Sequence, residues 1–232
     1  NIEQHQNGLM YFTTQNGIYY YDGYAFNKLA IDSLKSNALI SVSIKNADEL
    51  YLSLREEGIA SFNLKTKEFK LDKELKIKDN NSDNLILTEK YAYLLTTEIK
   101  IIIVELKTGK IVPDELRKKD LMNRPLCIYK TRTGKVLIGR TDGIYDATEG
   151  KQVALDVLRN QAIHSITQTS QGKLVVGTSN KICVINNNKI ESETTPVYET
   201  KSTTFQLTGE KPIRNIVADD YGRIWFTSYP HE

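Results

Sequence analysis

Few residues in this sequence are of the types that catalyse reactions. Nucleophilic catalysis needs a base beside a nucleophile, and the chain contains three histidines, His5, His164 and His231. His164 lies in an apolar run between Ile163 and Ile166, which indicates a packed or pore-lining side chain. His5 and His231 lie close to the two ends of the chain. We therefore predict no catalytic residue.

Residues with the chemistry of metal ligands are also sparse. Cys127 and Cys183 are too few and too far apart for a cysteine-based metal site, and each lies in an apolar run, so buried free thiols are predicted. The stretch from Asp79 to Asn84 has oxygen ligands at alternating positions but lacks the Gly and the bidentate Glu of a calcium loop, so a polar turn is predicted. Gly-rich phosphate loops are absent. The sequence predicts neither a metal nor a cofactor.

A repeat organises the chain. Asn7 to Tyr21 reads as a Gly-led turn, an apolar run, two threonines, a second turn and a second apolar run, as in a β-hairpin. Equivalent positions recur at intervals of 41, 41, 44, 38 and 50 residues, namely Gly8, Glu49, Lys90, Gly134, Gly172 and Gly222. Repeats of about 40 to 50 residues with about four strands each are typical of propeller blades. The predicted fold is all-β: a β-propeller of four-stranded antiparallel blades, with about six blades represented.

Apolar segments within each repeat predict the strands. The first complete repeat predicts strands at Leu39–Ile44, Leu50–Leu54, Ile59–Leu64 and Glu68–Leu71. Later inner strands are predicted at Asn84–Leu87, Leu126–Tyr129, Ile163–Ile166 and Ile213–Ile216. Tight hairpin turns are predicted at 65–67, 107–109 and 149–151. An insertion from Glu191 to Gly209 is expected to hold an outer hairpin of Val197–Tyr198 and Phe205–Leu207, and helix signal is confined to about one turn each at Asp114–Met122 and Asp156–Arg159.

Charge and hydropathy narrow the class of partner. The 31 basic and 29 acidic residues leave a net charge of +2, too little to predict nucleic acid or an anionic membrane as a partner. The longest strongly apolar run, Ile101 to Val104, is far shorter than the roughly 18 residues that span a bilayer. The repeat favours one domain over residues 1–232. We interpret the chain as a piece of a longer protein that begins at the tail of one repeat, Ile2 to Gln6, and stops at Glu232 within another.

The best candidate for a binding site is one face of the predicted propeller. Loops that join second to third strands, and loops that lead into each inner strand, gather on the same face around the axis. The candidate ligand-binding residues in these loops are Arg55, Arg124, Arg140, Asn16, Asp142, Asn160 and Asn180, with Gln15, Asn37, Glu56, Gln161 and Ser179 beside them. Arginines, amides and carboxylates on a concave face suit hydroxyl-rich or acidic sugars. The alternative is that these tips are polar only because loop tips are exposed.

The repeat resembles the two-component regulator propeller repeat. That pattern runs from an inner-strand Ile through an Asp before Gly, an apolar-Trp pair and Gly-Thr to Gly-Leu and a Tyr-Asp ending. The best matches are Asp219 to Thr227, Asn7 to Ile18 with Tyr21 to Gly23 after it, and Thr133 to Asp146. The resemblance covers essentially the whole chain, although the second and third repeats lack most of the glycines and the chain has one Trp.

This resemblance implies a role in signalling. Such repeats build the periplasmic sensory ectodomain of hybrid two-component histidine kinases of Bacteroidetes, which respond to oligosaccharides. The chain would be part of one seven-bladed propeller and would itself carry no enzyme activity. Its partners would be an oligosaccharide ligand, a second propeller and an immunoglobulin-like domain of the same parent chain, and a second copy in a homodimer. The membrane span, kinase and DNA-binding modules would lie elsewhere in the parent.

Two other functions stay open. A metal-dependent lyase of the virginiamycin-B-lyase type would also show repeats like Gly222 to Thr227, and would need a carboxylate, a His and a metal together on the axial face. A propeller that only binds other proteins would have its axial loops covered by a neighbouring domain.

Overall fold

All regular structure in the described part of the chain is β-strand. The computed structural model describes residues 2–14, 16–32, 39–55, 57–71, 82–96, 100–114, 123–195, 197–199, 204–206 and 212–228. In these ranges no helix is long and apolar enough to cross a membrane. Contacts divide the chain into two compact units, Asn1–Pro113 and Asp114–Glu232. The assignment of residues 1–232 to a single domain stays a prediction.

Unit 1 contains three antiparallel four-stranded sheets in which neighbours in sequence are neighbours in space. The first sheet consists of β1 (Ile2–Gln4), β2 (Met10–Thr14), β3 (Gly17–Tyr21) and β4 (Phe26–Lys28). The second consists of β5 (Leu39–Ile44), β6 (Glu49–Leu54), β7 (Gly58–Asn63) and β8 (Phe69–Leu71). The third consists of β9 (Ser82–Leu87), β10 (Tyr91–Thr96), β11 (Ile101–Glu105) and β12 (Ile111–Val112).

Unit 2 repeats the same design. The fourth sheet consists of β13 (Pro125–Lys130), β14 (Val136–Arg140), β15 (Gly143–Asp146) and β16 (Val153–Ala154). The fifth consists of β17 (Ile163–Gln168), β18 (Leu174–Thr178), β19 (Ile182–Asn186) and β20 (Lys189–Thr194). A separate two-stranded sheet follows, β21 (Val197–Glu199) with β22 (Thr204–Gln206), and it is not numbered among the repeats. The sheet called the sixth here consists of β23 (Ile213–Ala218) and β24 (Ile224–Ser228). The architecture is consistent with a β-propeller.

Some sequence-based expectations about the strands and turns are confirmed, and others are wrong. The hairpin expected in the insertion is present as β21 and β22. Ile2–Gln4, however, pairs with Met10–Phe12 as the first strand of the first sheet and is not the tail of a preceding repeat. Asp156–Arg159 forms turns instead of helix, because Leu158 takes a positive φ of 58°. The other expected helical turn, Asp114–Met122, lies outside the described residues except for Asp114 and is not tested.

The core lies between successive sheets within each unit. In unit 1, Tyr11 and Ile18 of the first sheet pack with Val42 and Leu52 of the second. In unit 2, Leu137 of the fourth sheet packs with Ile163 and Ile166 of the fifth, among other buried residues. Each such buried aliphatic side chain contributes roughly 1.5–3 kcal/mol. Strand alternation directs one set of side chains into these contacts, while the outer strands β16 and β20 stay exposed.

The turn between first and second strands is the repeated element that sets the register. Thr131 N donates to Lys135 O at 2.8 Å and Gly134 N to Thr131 O at 2.9 Å, and the same pair of bonds recurs from His5, Thr169 and Asp219. Gly134 has φ +84°, a conformation that a residue with a Cβ rarely adopts. In the second and third sheets the glycine is missing and the turns are closed by Lys45 to Glu49 and Thr88 to Tyr91. The weakness of those two repeats in the sequence thus has a structural basis.

Five of the six inner strands carry an irregularity near the beginning of the strand, whereas β1 pairs with β2 without a shift. In unit 2 the pairing with the second strand shifts between Pro125 and Cys127, between Ile163 and Ser165, and between Ile213 and Asn215. A shift also occurs between Leu39 and Ser41 in unit 1. Each is a β-bulge that leaves one residue without a partner opposite it. The bulge therefore recurs in most of the repeats.

Side chains just after the bulges tie one sheet to the next in unit 2. Ser165 Oγ donates to Ile213 O at 2.6 Å. Cys127 Sγ lies 3.6 Å from Ile163 O in the equivalent place. Both cysteines are free thiols, as predicted. Cys183 is buried, whereas Cys127 is only half-buried. Burial raises the pKa of Cys127 to about 12, against the lowering effect of its contact with the Gly139 backbone.

Candidate binding face

Four of the seven predicted residues come together at one end of the fourth sheet. Thr141 and Asp142 form the tip of the β14–β15 hairpin, here called the 141–142 tip. Thr141 N donates to Arg124 O at 3.0 Å, and Arg124 N donates to Thr141 Oγ1 at 3.1 Å. On the other side, Asn160 N donates to Asp142 O at 2.8 Å. The tip is therefore held between the connection that precedes β13 and the connection that precedes β17.

The connection around Asn160 is held in a strained conformation. Leu158 and Asn160 have φ values of 58° and 62°. Asn tolerates this region, whereas Leu does so rarely. The Leu158 side chain is 5% exposed and lies in the core cluster of the fourth and fifth sheets, so its burial offsets the strain. As a result the exposed Asn160 side chain is presented beside the 141–142 tip.

Arg140 is placed differently from the expectation. It is the last residue of β14, and its side chain is fully buried instead of lying at the surface of a loop. Its Nη1 donates to Gln152 Oε1 at 2.5 Å, and its Nη2 donates to the backbone carbonyl of Asn123. Its Nη1 also lies 3.6 Å from Asp114 Oδ2. We correct the expectation of a surface-exposed arginine, because this position of β14 points inward.

Arg140 is the centre of a polar network inside unit 2. Gln152 Nε2 donates to Asp114 Oδ1 at 3.0 Å, and the Arg140 guanidinium lies 5.6 Å from the centre of the Tyr145 ring. Three buried polar atoms of this group have no hydrogen-bond partner, namely Arg140 Nε, Asp114 Oδ2 and Asp142 Oδ1. Arg140 thus connects residues at both ends of the segment between Asp114 and Asn123.

Tyr145 links this network to the 141–142 tip. Its hydroxyl donates to Asp142 Oδ2 at 2.6 Å. Burial, then the hydrogen bond to Asp142 and the charge of that carboxylate, raise the pKa of Tyr145 to about 12, while Arg140 acts in the opposite direction. One carboxylate oxygen of Asp142 is therefore engaged inside the protein. Arg124 and Asn160 are the exposed side chains of this cluster.

The tip of the β18–β19 hairpin forms a second part of this face. Asn180 is exposed, and its N lies 3.5 Å from Thr178 Oγ1. Beside it, Ser179 Oγ lies 3.3 Å from His164 Nε2. The half-buried His164 thus reaches the loop instead of being packed wholly within the sheet.

The remaining two predicted residues belong to unit 1. Asn16 is exposed and its N donates to Thr14 Oγ1 at 3.1 Å, so the turn before Gly17 is closed by a side chain. Arg55 is exposed at the end of β6. Gln15, Asn37 and Glu56, expected beside them, lie outside the described residues.

Metal chemistry has no candidate ligands in the ranges that the structure covers. No three His, Cys, Asp or Glu residues among them lie close enough to hold an ion. Residues 79–81 of the expected polar turn lie outside those ranges, and Ser82 to Asn84 belong to strand β9 instead of a turn.

Sequence reasoning missed the partners of Arg140. Asp114 and Gln152 are 38 residues apart in sequence, and both lie in connections whose polar composition carries no distinguishing signal. The only local signal was the spacing of Asp142 and Tyr145, which lie three residues apart at a hairpin end.

Comparison with known proteins identifies the fold. No protein-family model matches the sequence, and no curated protein matches it. The chain is similar to two structures of the extracellular domain of BT4673 from B. thetaiotaomicron, named in one case as a one-component system and in the other as a hybrid two-component system. Both give a TM-score of 0.56, with 16% and 17% identity, over 98% of this chain and 37% and 36% of those chains.

A third solved structure is similar to the same extent. The extracellular domain of the hybrid two-component system BT3049 from B. thetaiotaomicron gives a TM-score of 0.56 at 17% identity, over 98% of this chain and 38% of that chain. All three structures are thus extracellular domains, two of them named as parts of hybrid two-component systems, and this chain spans little more than a third of their length. At these identities the likeness shows the fold.

Proposed function

We propose that this chain is a ligand-sensing part of the extracytoplasmic domain of a hybrid two-component sensor kinase. The observation that carries the proposal is the agreement of its repeated four-stranded sheets, over 98% of the chain, with extracellular domains of such systems. The described residues hold no metal-binding group of three, which favours binding over a metal-dependent lyase reaction.

The ligand in this proposal is an oligosaccharide released from a polysaccharide. It is bound at the face formed by the 141–142 tip and its neighbours, where Arg124 and Asn160 offer exposed donors and acceptors. In this proposal the chain supplies about six of the seven blades of one propeller in the periplasm, and a second propeller and an immunoglobulin-like domain belong to the same parent chain. Binding then alters a homodimer and so the kinase of the parent chain.

Calorimetry of the full-length protein with a panel of plant and host oligosaccharides tests the proposal. We expect one ligand class to bind, and Arg124→Ala to weaken binding about tenfold by loss of a charge-assisted hydrogen bond. Lys151→Ala is the matched control, since Lys151 is an exposed cation in the β15–β16 turn, at the other end of the same hairpin. Absence of binding across the panel, together with turnover of any member, would refute the sensor and favour an enzyme.

A further inference from the structure

One position of the second strand is a core position in the repeat but is exposed in the sixth sheet. It lies three residues after the turn glycine, and its occupants are Tyr11, Leu137, Val175 and Trp225. The first three side chains are at most 3% exposed, whereas Trp225 is 59% exposed. Trp225 therefore holds a core position of the repeat without being buried.

The three buried side chains are covered by the sheet that follows each of them. Each lies in one core cluster with an aliphatic residue of the next inner strand, namely Val42 with Tyr11, Ile166 with Leu137 and Ile216 with Val175. These aliphatic residues hold the same register position in their own sheets. The repeat thus uses an aliphatic side chain at this register position to cover the preceding sheet.

The sixth sheet has one packed face and one exposed face. Ile224 and Phe226 pack against the cluster that contains Val175 of the fifth sheet. Side chains alternate along a strand, so Trp225, which lies between them, points to the opposite face. Its partner across the strand pair is Val217, which is 58% exposed. We call this surface, formed by Val217 and Trp225, the Trp225 face.

The indole ring of the Trp225 face is held in one orientation. Its Nε1 donates to Asp219 Oδ2 at 3.0 Å, and the Arg223 guanidinium lies 5.5 Å from the centre of the ring. A side chain that is already ordered loses little rotamer entropy when a partner covers it. The exposed indole is therefore preorganised for packing.

The second sheet shows how a face of this composition is covered. An aromatic and a hydroxyl residue hold the same two register positions in the second and sixth sheets, Tyr51 with Ser53 and Trp225 with Thr227. Ser53 is buried, and Tyr51 packs against the third-sheet cluster that contains Leu85 of β9. The Trp225 face therefore has the side chains of a contact between sheets.

The residue after the bulge also suits a following strand. In the fifth sheet this residue is Ser165, whose hydroxyl donates to the backbone carbonyl of Ile213 at 2.6 Å. In the sixth sheet it is Asn215, whose Nδ2 donates to Thr227 Oγ1 at 3.2 Å. A side-chain amide has two hydrogens to donate. Asn215 can therefore bond a backbone carbonyl of an incoming strand as Ser165 does.

We propose that the Trp225 face is a docking surface for the inner strand of one further sheet of the same repeat, contributed by the parent chain. The incoming strand carries an aliphatic side chain over the indole, at the register position of Ile166 and Ile216. The similar solved structures are long enough to hold further sheets, since this chain covers 36–38% of them. A second copy is a poorer occupant, because a contact between unlike faces is heterologous and does not close into a dimer.

This inference rests on the part of the proposed function that places the chain in a propeller, and it identifies the surface at which a further blade joins. The test is photocrosslinking of the full-length protein that carries Trp225→p-benzoylphenylalanine. Unlabelled protein is mixed with protein grown in heavy-isotope medium, so that mass spectrometry separates crosslinks within one chain from crosslinks between copies.

We expect a crosslink within one chain, to a peptide outside residues 1–232 that has an aliphatic residue at the contact. Tyr24→p-benzoylphenylalanine is the control, because Tyr24 is an exposed aromatic residue in a turn of the first sheet, and it should not give this crosslink. A crosslink from position 225 to another copy or to another part of residues 1–232, or no crosslink, would overturn the docking surface.

Oxidative footprinting of the unsubstituted full-length protein gives an independent measurement. Folding should protect Trp225 from oxidation as strongly as it protects the buried Tyr11, whereas the exposed Tyr24 should be oxidised almost as fast as in the unfolded protein. Oxidation of Trp225 at the relative rate of Tyr24 would overturn the proposal.

The outcome for the docking surface is separable from that for the sensor. An oligosaccharide that binds in calorimetry while Trp225 is oxidised freely would refute the docking surface and leave the sensor standing. The expected crosslink, together with absence of binding across the panel and turnover of one of its members, would support the docking surface and refute the sensor.

Discussion

Gly177 of β18 and Ile213 of β23 lie so close together that a Cβ atom on Gly177 would stand 2.7 Å from the Cβ of Ile213. The same atom would lie 2.4 Å from Ser165 Oγ, which already donates to Ile213 O. A glycine at this place is therefore what allows the inner strands of the fifth and sixth sheets to approach. Gly139 does the same for the fourth and fifth sheets.

Gly177→Ala should destabilise unit 2 by overpacking, at a cost of about 1–3 kcal/mol. Urea denaturation followed by circular dichroism measures this change. Gly134→Ala is the matched control, because its Cβ would meet nothing within 4 Å but its φ is +84°. Its cost should reflect backbone strain alone, about 1 kcal/mol. If Gly177→Ala proved as stable as the wild type, the fifth and sixth sheets would not be in close contact at Gly177 and Ile213.

Arg140→Met should lower the free energy of unfolding by about 3–5 kcal/mol, because it leaves the carboxylate of Asp114, 12% exposed, without its cation. Adding Asp114→Asn should recover part of that loss, with a coupling of about 0.5–3 kcal/mol in a double-mutant cycle. Arg124→Met is the control and should change stability by less than about 0.5 kcal/mol, as is usual for exposed side chains. Equal effects of Arg140→Met and Arg124→Met would contradict the buried network.

The hydroxyl of Tyr145 should make the protein sensitive to alkali. Its pKa is raised from 10.0 to about 12 in the folded state, by burial first and then by Asp142. The stability that it contributes is therefore complete below pH 10 and is lost as the pH rises towards 12. Tyr145→Phe should be less stable than the wild type at neutral pH and should lose less stability over this range. Denaturation at a series of pH values measures both, and parallel curves would refute the assignment.

Trp225 is the single tryptophan of the chain, so its fluorescence can report on the hydrogen bond that it makes with Asp219. Its Nε1 donates to Asp219 Oδ2 at 3.0 Å, and Arg223 Nε donates to the same oxygen at 2.6 Å. Burial opposes the shift, but these hydrogen bonds hold the pKa of Asp219 at about 2, below 3.8. The contact should therefore persist above pH 3.8 and be lost only as the pH falls towards 2.

Tryptophan fluorescence tests the Asp219 contact directly. Asp219→Asn should change the emission already at neutral pH, because both carboxylate oxygens of Asp219 accept hydrogen bonds and an amide nitrogen can only donate. Asp220→Asn removes the neighbouring carboxylate, which lies 3.7 Å from Arg132 at the surface, and should leave the emission unchanged. Identical spectra for Asp219→Asn and the wild type would show that the bond is not formed.

The strands were predictable because short apolar runs and turn residues specify them locally. The predicted strand Leu39–Ile44 is β5 residue for residue, and the inner strands of later repeats differ by a few residues at their ends. The bulges were not predictable, because an inserted residue such as His164 looks in sequence like any other residue of the strand. After one of these bulges, Ser165 donates to the neighbouring inner strand at Ile213 O.

The position of the predicted site residues was only partly predictable. The loop argument correctly placed Arg124, Asp142 and Asn160 together, since hairpin tips and strand connections must meet at one end of a sheet. Arg140 differs because its place in the strand, and not its charge, decides where its side chain goes. Its compensating partners, Asp114 and Gln152, are remote in sequence and leave no pattern to find.

Strand β20 shows where this design tolerates change. All six of its side chains are exposed, and its glutamates 191 and 193 pair with Lys173 and Lys181 at 2.6 and 2.9 Å. An exposed edge strand constrains residue identity little beyond backbone pairing and charge. Its charged side chains hinder pairing with strands of other molecules. Additional segments can therefore be inserted next to β20 without disturbing the buried contacts between sheets. The β21–β22 hairpin follows this strand directly.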